Sequence, residues 1–353
     1  MINNNRLKVG ICYNHIKNFP YKKNQPEDID IEWTGQEYID LLVRGLEQAG
    51  FQVVDIGSPK NLLSKKVLES FDILFSIAEM LGYRFREILV PTICEMYDKP
   101  YLFAQPDAML ITADKYLSNI FVNELGINIP KSLIIKDISE TDILQSKLEK
   151  LSFPLIIKPN AEGASMGINK ESVIFNINNL KQGVKRLLSD YDQPVLIQEF
   201  IEGMEITIGV IQKQGETTPM TPLITFNNEN EKSFVFDINM KSHYKKNKLF
   251  KPLLDNSLSS IIQKYAVDIF DKIGCLDAAR IDFRISNGNI YFNPLLRCKF
   301  VLRPFCIVYP IFNRRFQALK CIIRIIFKTV KKVLCIKHCF FFLFDDLFNG
   351  VRD

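Results

Sequence analysis

The stretch FPLIIKPNAEGASMGI, residues 153–168, joins an apolar run to a loop of small residues. The apolar run predicts a buried strand with a proline near each end, and Lys158 lies on that strand. Small residues after a strand let backbone N–H groups approach phosphate oxygens, and a nearby lysine adds positive charge. Taken alone, the loop over 162–167 also fits an ordinary surface turn, and the Walker pattern G-x-x-x-x-G-K-[ST] is absent.

This loop is one of four features that follow one another along the chain. Asp114-Lys115 lies within the start of a helix predicted over 112–125. VLIQEFIEGMEITIGV (195–210) predicts two strands. ARIDFR (279–284) predicts a strand, and the dipeptide Asn287-Gly288 predicts a hairpin turn after it. The order of all four features is more specific than any one of them.

The first 105 residues alternate between short apolar runs and helical patterns. Such alternation predicts βαβ units and a mainly parallel sheet. The predicted strands are LKVGIC (7–12), FQVVDIG (51–57), FDILFSI (71–77) and KPYLFA (99–104), and the predicted helices cover about 38–49 and 84–97.

Composition excludes several classes of protein. Hydrophobic residues make up 47% and charged residues 24% of the 353 residues, as in globular proteins, which excludes a disordered or collagen-like chain. Eight cysteines without a short secreted framework, and an N-terminus without an apolar signal segment, predict a reduced cytoplasmic setting. Residues 1–294 carry a net charge of −4, so no nucleic-acid partner is expected.

The three stretches quoted above resemble the signatures of the D-alanine–D-alanine ligase-like group of the ATP-grasp superfamily. The segment over 75–101 is also similar to that group, and the resemblance covers roughly residues 5–294. It implies an α/β (α+β) fold in which two sublobes clamp ATP beside an N-terminal lobe with a parallel sheet. The implied domains are a preATP-grasp lobe over 1–105, an ATP-grasp region over 106–297 divided at about 193/194, and a tail over 298–353.

The resemblance also implies which residues hold ATP. Lys115 and Lys158 match the lysines that hold the α- and β-phosphates, and the residues from Gln198 to Ile201 match the hinge that meets adenine. Glu205 matches the carboxylate that holds the ribose hydroxyls, although a polar position on a strand face would look the same. The full set of implied ATP-binding residues is Lys115, Lys158, Glu162, Gly163, Ser165, Gln198, Glu199, Phe200, Ile201 and Glu205.

Catalytic and metal roles follow from the same resemblance. Arg280, Ser165 and Lys241 match catalytic positions, although Lys241 lies in a lysine-rich loop where a solvated lysine is an equal alternative. Asp282 and Asn293 match the ligands of Mg²⁺ (or Mn²⁺), a cation that takes carboxylates together with nucleotide phosphates. Near the N-terminus the family places a glutamate that holds the first substrate's ammonium, and the candidates are Glu32 and Glu37.

The chain departs from the family pattern at the end of the hairpin. The signature Glu-x-Asn-Pro is replaced by Tyr291-Phe292-Asn293-Pro294, so the glutamate that bridges two metal ions is missing. The position of Ala164, next to Ser165, more often holds a serine in the family. These departures leave two hypotheses, an active ATP-dependent carboxylate–amine ligase or a catalytically impaired nucleotide-binding protein. The basic tail adds a third, a peripheral membrane protein that uses the tail as its anchor on membrane surfaces.

The expected reaction has two steps and joins small amino-acid-like substrates. A carboxylate attacks the γ-phosphate of ATP, giving an acyl phosphate and ADP, and an amine then attacks the acyl carbon, giving an amide and phosphate. Homodimer formation is a further expectation from the resemblance.

The last 59 residues differ in composition, with 12 Lys or Arg against three acidic residues. No uncharged apolar run there reaches about 18 residues, so a spanning helix is not predicted. A basic amphipathic helix over 315–334 would give weak contact with an anionic membrane surface. The alternatives are a core helix, no stable helix, or translation in a shifted reading frame after a local deletion. Cys335, His338 and Cys339 lack a fourth metal ligand at zinc-finger spacing.

Overall fold

The computed structural model describes residues 6–79, 86–102, 104–141, 146, 148–213, 215–225 and 250–297. In this part of the chain no helix has the length and apolar composition needed to cross a membrane. Lys241 and the tail over 298–353, including the predicted amphipathic helix over 315–334, lie outside the described residues.

The N-terminal part contains a three-stranded parallel sheet in the order β2-β1-β3, which confirms the predicted parallel sheet. Its inner residues form two apolar clusters with the flanking helices. The predicted strand over 99–104 is reduced to a single bridge between Tyr101 and Leu74. The elements are β1 (Lys8–Cys12), α1 (Gln36–Gln48), β2 (Gln52–Gly57), α2 (Lys65–Leu68), β3 (Ile73–Ser76) and α3 (Leu89–Met96), with 3₁₀ turns at Ile16–Asn18 and Pro59–Leu63.

Two short helices, α4 (Pro106–Ala113) and α5 (Lys115–Asn123), meet at Asp114. The sequence predicts one helix here, from 112 to about 125. Asp114 divides it because its backbone is extended, with φ −103° and ψ 108°, and its carboxylate accepts a hydrogen bond from the N–H of Leu117. Aspartate is a favoured N-cap because its oxygen satisfies an otherwise unpaired N–H of the first helical turn.

The central part is a four-stranded antiparallel sheet in the order β4-β7-β5-β6, covered by one long helix. Leu180, Val184 and Leu187 of that helix pack on buried strand residues such as Ile157 and Ile197. The elements are β4 (Ser132–Ile135), β5 (Leu155–Pro159), β6 (Val173–Ile174), α6 (Ile177–Tyr191) and β7 (Val195–Glu199), with 3₁₀ turns at Ile138–Thr141, Leu148–Lys150 and Lys170–Ser172.

The C-terminal part is a second antiparallel sheet, in the order β11-β10-β8-β12-β13, with β9 paired to β8. One face packs on helix α7 and forms the largest apolar cluster described. The elements are β8 (Met204–Lys213), β9 (Glu216–Pro219), β10 (Leu223–Thr225), β11 (Phe250–Pro252), α7 (Asn256–Ile273), β12 (Ala278–Ser286) and β13 (Asn289–Arg297).

Successive side chains of strand β12 face alternately the apolar core and the opposite side of the sheet. Ile281 and Phe283 are fully buried in the apolar cluster, so Arg280, Asp282 and Arg284 lie on the opposite face. On that face each charged residue has a direct partner position on β8: Arg280 pairs with Gly209, Asp282 with Thr207 and Arg284 with Glu205.

Strand β13 extends beyond the predicted NIYF segment, to Arg297. Asp282 pairs with Asn293, whereas the preceding residue Ile281 pairs with Leu296, so two extra residues form a bulge on β13. The bulge contains Pro294, which has no N–H to donate to a ladder.

Candidate functional site

Lys158 is the buried cation of the candidate site. It lies on β5, is 6% exposed, and its ammonium has no hydrogen-bond or ion-pair partner among the described residues. The pKa of Lys158 is lowered to about 8, chiefly by burial and then by the positive charge of Arg284, while Glu205 acts in the opposite direction. A buried ammonium without a partner is costly, so this arrangement favours an anion that binds next to it.

Arg284 and Glu205 form an ion pair beside Lys158. Arg284 Nη2 donates to Glu205 Oε2 at 2.9 Å, and Nη1 donates to the carbonyl of Ile201 at 3.0 Å. The guanidinium also lies 5.1 Å from the centre of the Phe200 ring. The side chains of Arg284 and Glu205 are only 11% and 12% exposed. The predicted hinge and the predicted ribose carboxylate are therefore connected through one arginine.

Several hydrogen bonds hold the hinge segment at the end of β7. The N–H of Glu199 donates to the carbonyl of Lys131, and the N–H of Phe200 donates to that of Pro154. The Glu199 carboxylate accepts from the N–H of Ser152 at 3.1 Å, so this side chain holds a neighbouring loop. Gln198 is 2% exposed, and its amide nitrogen is buried without a hydrogen-bond acceptor among the residues that the structure describes. A ligand with an acceptor atom at this position would satisfy it.

The small-residue loop after β5 has a left-handed backbone at Ala164, with φ 50°, and at Ser165, with φ 66°. Two tight turns shape it, because Met166 N–H donates to the carbonyl of Gly163 and Ile168 N–H donates to that of Ser165. Gly167 ends the loop with φ 72°, where a Cβ would lie 2.6 Å from the Pro159 ring. The loop is thus a compact structure with buried Ser165, rather than an open surface turn.

Lys115 reaches this loop from the first position of α5. Its ammonium donates to the backbone carbonyls of Pro159 at 2.8 Å, of Asn160 at 3.2 Å and of Glu162. The structure therefore places Lys115 next to the loop, and its ammonium forms these hydrogen bonds with backbone carbonyls at the start of the loop and just before it.

Arg86 is a site residue that the sequence did not identify. Its guanidinium lies 2.6 Å from Glu162, 2.8 Å from Glu32 and 3.4 Å from Glu79, and it donates to the carbonyl of Ala161 at 3.2 Å. Burial alone would lower the pKa of Arg86, but the carboxylates of Glu79, Glu162 and Glu32 raise it on balance. The contacts with Glu32, Ala161 and Glu162 join residues 54 to 76 positions apart, so no local pattern reveals them.

Glu32 and Glu37 differ clearly in position. The side chain of Glu32 is 7% exposed and faces Arg86, next to the small-residue loop, whereas Glu37 is exposed in the first turn of α1. The oxygens of Glu32, Glu79 and Glu87 lie within 4.8 Å of one another. The structure thus brings Glu32, and not Glu37, to the loop.

A second contact from the N-terminal lobe reaches the end of the loop. Asp28 Oδ2 accepts from the N–H of Gly167 at 2.7 Å, and Oδ1 accepts from the hydroxyl of Tyr191 at 2.7 Å. Burial and this carboxylate raise the pKa of Tyr191 well above its usual range. Asp28 therefore ties the loop to helix α6, and the sequence offered no signal for it.

The candidate metal ligands lie on adjacent strands. Asp282 is 5% exposed, accepts from the hydroxyl of Thr207 at 2.7 Å, and has both oxygens 3.2 Å from Arg280 nitrogens. Asn293 lies directly opposite Asp282, and Tyr291 lies opposite Arg284. One carboxylate and one amide oxygen on the same face fit Mg²⁺, which completes its shell with phosphates and water.

Comparison with known proteins gives one consistent result. A family model described as "D-ala D-ala ligase C-terminus" matches residues 121–295. The D-alanine–D-alanine ligase of Marinomonas sp. (strain MWYL1) is 28% identical over 255 residues, which cover 71% of this chain and 76% of that protein. The corresponding ligase of Aquifex aeolicus (strain VF5) is 29% identical over 252 residues, covering 71% and 80%.

Solved structures show the same fold. The crystal structure of D-alanine–D-alanine ligase from Bacillus anthracis complexed with ATP is similar with a TM-score of 0.64 and 16% identity, covering 94% of this chain and 99% of that one. The crystal structure of VanG D-Ala:D-Ser ligase from Enterococcus faecalis is similar with a TM-score of 0.61 and 16% identity, covering 92% of this chain and 99% of that one. The fold class predicted from the sequence is confirmed.

Proposed function

Because this chain is a D-alanine–D-alanine ligase-like protein with the ATP-grasp fold, we propose that it is an ATP-dependent ligase that joins a carboxylate to an amine. The observation that carries the proposal is the buried ammonium of Lys158, without a partner among the described residues, beside the Glu205–Arg284 ion pair. A triphosphate supplies the anion that such a lysine requires, and the ribose supplies hydroxyls for a carboxylate.

In this proposal the two sheets hold different parts of ATP. Lys158 on β5 and the loop from Glu162 through Gly163 to Ser165 receive the phosphates, and Lys115 fixes that loop through its hydrogen bonds to the backbone. The segment from Gln198 to Ile201 receives the adenine edge, where the buried Gln198 amide has no acceptor within the described part of the chain. Glu205 on β8 receives the ribose.

Asp282 and Asn293 would hold Mg²⁺ or Mn²⁺, and the ion would supply positive charge to the phosphates. Arg280 lies beside Asp282 and is 28% exposed, so part of its guanidinium is open to a reacting carboxylate or phosphate. Tyr291 takes the position of a second carboxylate in the family signature, which leaves Asp282 as the single described anion of this pair of strands. Thr207 holds one Asp282 oxygen in place.

The reaction needs no nucleophilic side chain. A substrate carboxylate attacks the γ-phosphorus of ATP and displaces ADP, which gives an acyl phosphate. The amine of a second substrate attacks the acyl carbon, loses a proton and displaces phosphate, which gives the amide. The protein contributes by orienting the reactants and by stabilising phosphate charge, the two largest effects in phosphoryl transfer.

The substrates proposed are small amino acids or similar molecules. Glu32, at the Arg86 cluster, is the better placed of the two glutamates to receive a substrate ammonium. A role for Lys241, the homodimer, contact of residues 315–334 with a membrane, and work in the cytoplasm stay predictions from the sequence.

Binding and turnover of the full-length chain test the proposal. Calorimetry with ATP and millimolar Mg²⁺ should show binding, and Lys158→Met should weaken it at least tenfold. Phosphate release should rise when pairs of D- or L-amino acids are added. A matched surface variant, Lys264→Met, removes an ion pair whose lysine is 72% exposed and should leave both results unchanged. Failure of the wild-type chain to bind ATP would overturn the proposal.

A further inference from the structure

Arg284 lies at the centre of the proposed nucleotide site, and the proposed function gives it no role. It lies on β12 between the predicted hinge and the predicted ribose carboxylate, and its side chain is almost completely enclosed. Its two terminal nitrogens donate to acceptors from different parts of the chain: the carbonyl of Ile201, which follows β7, and the carboxylate of Glu205 on β8. One planar guanidinium thus spans the connection between β7 and β8, which belong to different sheets.

We propose that Arg284 is a positioning residue for nucleotide recognition, which holds Glu205 in the orientation that selects the ribose hydroxyls. This inference rests on the proposed function, because it takes Glu205 as the ribose-binding group. The structure supplies the geometric reason: Glu205 Oε2 is engaged by Arg284, while Oε1 has no hydrogen bond among the described residues. A carboxylate anchored through one oxygen presents the other as a fixed acceptor.

Charge explains why the site would need this arginine. Glu205 without a counter-ion would repel a triphosphate or turn toward the nearby ammonium of Lys158, with which it already interacts electrostatically. Arg284 neutralises Glu205, so the charge of Lys158 stays available for phosphate. The Phe200 ring over the guanidinium and the Ile201 carbonyl fix the arginine in turn.

A lysine cannot replace this arginine fully. Arginine presents several N–H donors in a rigid plane and can serve two acceptors at once, whereas lysine is a compact point charge on a flexible stem. Arg284→Lys should keep the ion pair with Glu205 and lose the simultaneous bond to the Ile201 carbonyl. Arg284→Met should lose both while keeping much of the side-chain volume.

The test compares the affinities for ATP, 2′-deoxy-ATP and 3′-deoxy-ATP, measured by calorimetry on the full-length chain with Mg²⁺. A hydrogen bond to a carboxylate should make the wild-type chain prefer ATP about tenfold over at least one deoxy analogue. Glu205→Gln and Arg284→Met should both reduce that preference to about twofold or less, and Arg284→Lys should give an intermediate value. Lys264→Met is the control and should keep the wild-type ratio.

The ratio of the affinity for ATP to the affinity for each deoxy analogue distinguishes positioning from a general structural effect, because a loosened fold would weaken the binding of all three nucleotides equally. If Arg284→Met weakens the binding of ATP and both deoxy analogues equally and keeps the wild-type preference for ATP, the proposal is overturned. It is also overturned if the wild-type chain binds ATP and both deoxy analogues with equal affinity. A wild-type chain that binds none of the three nucleotides would instead overturn the proposed function itself, and this inference with it.

Discussion

Asp282 lies directly opposite Asn293 across strands β12 and β13, at the edge of a two-residue bulge. Directly opposed residues of an antiparallel pair share one face, and their side chains are close neighbours. The bulge follows immediately, so the ladder is interrupted next to this pair. The two proposed metal ligands are therefore placed next to each other by strand register.

The first prediction concerns metal dependence. Asp282→Asn removes the carboxylate but keeps the size of the side chain, so Mg²⁺ should no longer strengthen ATP binding. We expect Mg²⁺ to raise ATP affinity about tenfold in the wild-type chain and less than twofold in the variant. Calorimetry with Mg²⁺ and with EDTA measures both values. Retention of the full Mg²⁺ effect in Asp282→Asn would show that Asp282 is not a ligand.

The second prediction is a pH dependence of ATP binding. The pKa of Lys158 is about 8, so its ammonium loses its proton as the pH rises through 8. ATP affinity should be constant below about pH 7 and should fall above pH 8, where the decrease approaches tenfold for each pH unit. Lys158→Arg stays charged throughout and should remove this decline. Titrations between pH 6.5 and 9.5 give the profile, and identical profiles for both chains would contradict the assignment.

The third prediction concerns stability without nucleotide. The folded-state pKa of Lys158, about 8, lies below its ordinary value of 10.5, so the unfolded chain binds more protons between those pH values. Burial of the ammonium costs about 3 kcal/mol below pH 8, and this cost is relieved as the pH rises toward 10.5. Lys158→Met should therefore raise the free energy of unfolding at pH 7. Chemical denaturation at pH 7 measures the change, and destabilisation by more than 1 kcal/mol would count against it.

The fourth prediction concerns the contact of Asp28 with the loop. Asp28→Ala removes the acceptor of two hydrogen bonds, from Gly167 N–H and from the Tyr191 hydroxyl. Hydrogen bonds to charged groups contribute about 1.5–3 kcal/mol each, so amides over 161–167 should exchange at least tenfold faster. Tyr191→Phe removes only one of the two bonds and should have a smaller effect. Unchanged exchange in Asp28→Ala would mean that other contacts hold the loop.

The fifth prediction tests the turn into β8. Gly203 has φ 152°, and a Cβ there would lie 2.1 Å from the carbonyl oxygen of Ile285. Gly203→Ala should destabilise the fold by about 3 kcal/mol, because both the backbone and the neighbouring strand must shift. Gly35→Ala is the matched control, since a Cβ there meets nothing within 4 Å. Thermal unfolding of both variants gives the comparison, and equal midpoints would refute the steric argument.

Local patterns in the sequence predicted much of the fold. The strand predicted over 279–284 is part of β12, and the apolar run before the small-residue loop gave β5 with Lys158 on it. Helix α4 was not predicted, whereas the helix predicted over 112–125 corresponds to α5, which begins after its N-cap Asp114.

The contacts of the site were harder to predict than its strands. Arg86, Asp28 and Arg284 acquire their roles from partners 54 to 163 residues away. No periodicity encodes such pairings, since they depend on strand register for Arg284 and on how the N-terminal part packs on the small-residue loop for Arg86 and Asp28. A charged residue in a polar segment looks the same in sequence whether it is solvated or buried against another lobe.

The lowered pKa of Lys158 also gives this side chain an uncommon reactivity. At pH 8 about half of its amine is unprotonated and nucleophilic, whereas an ordinary surface lysine is almost entirely ammonium. A nucleotide analogue that carries an aldehyde near its phosphates would form an imine with this amine, with loss of water, and borohydride would make the adduct permanent. Peptide mapping of the adduct would then locate the bound phosphates chemically, with no need for turnover.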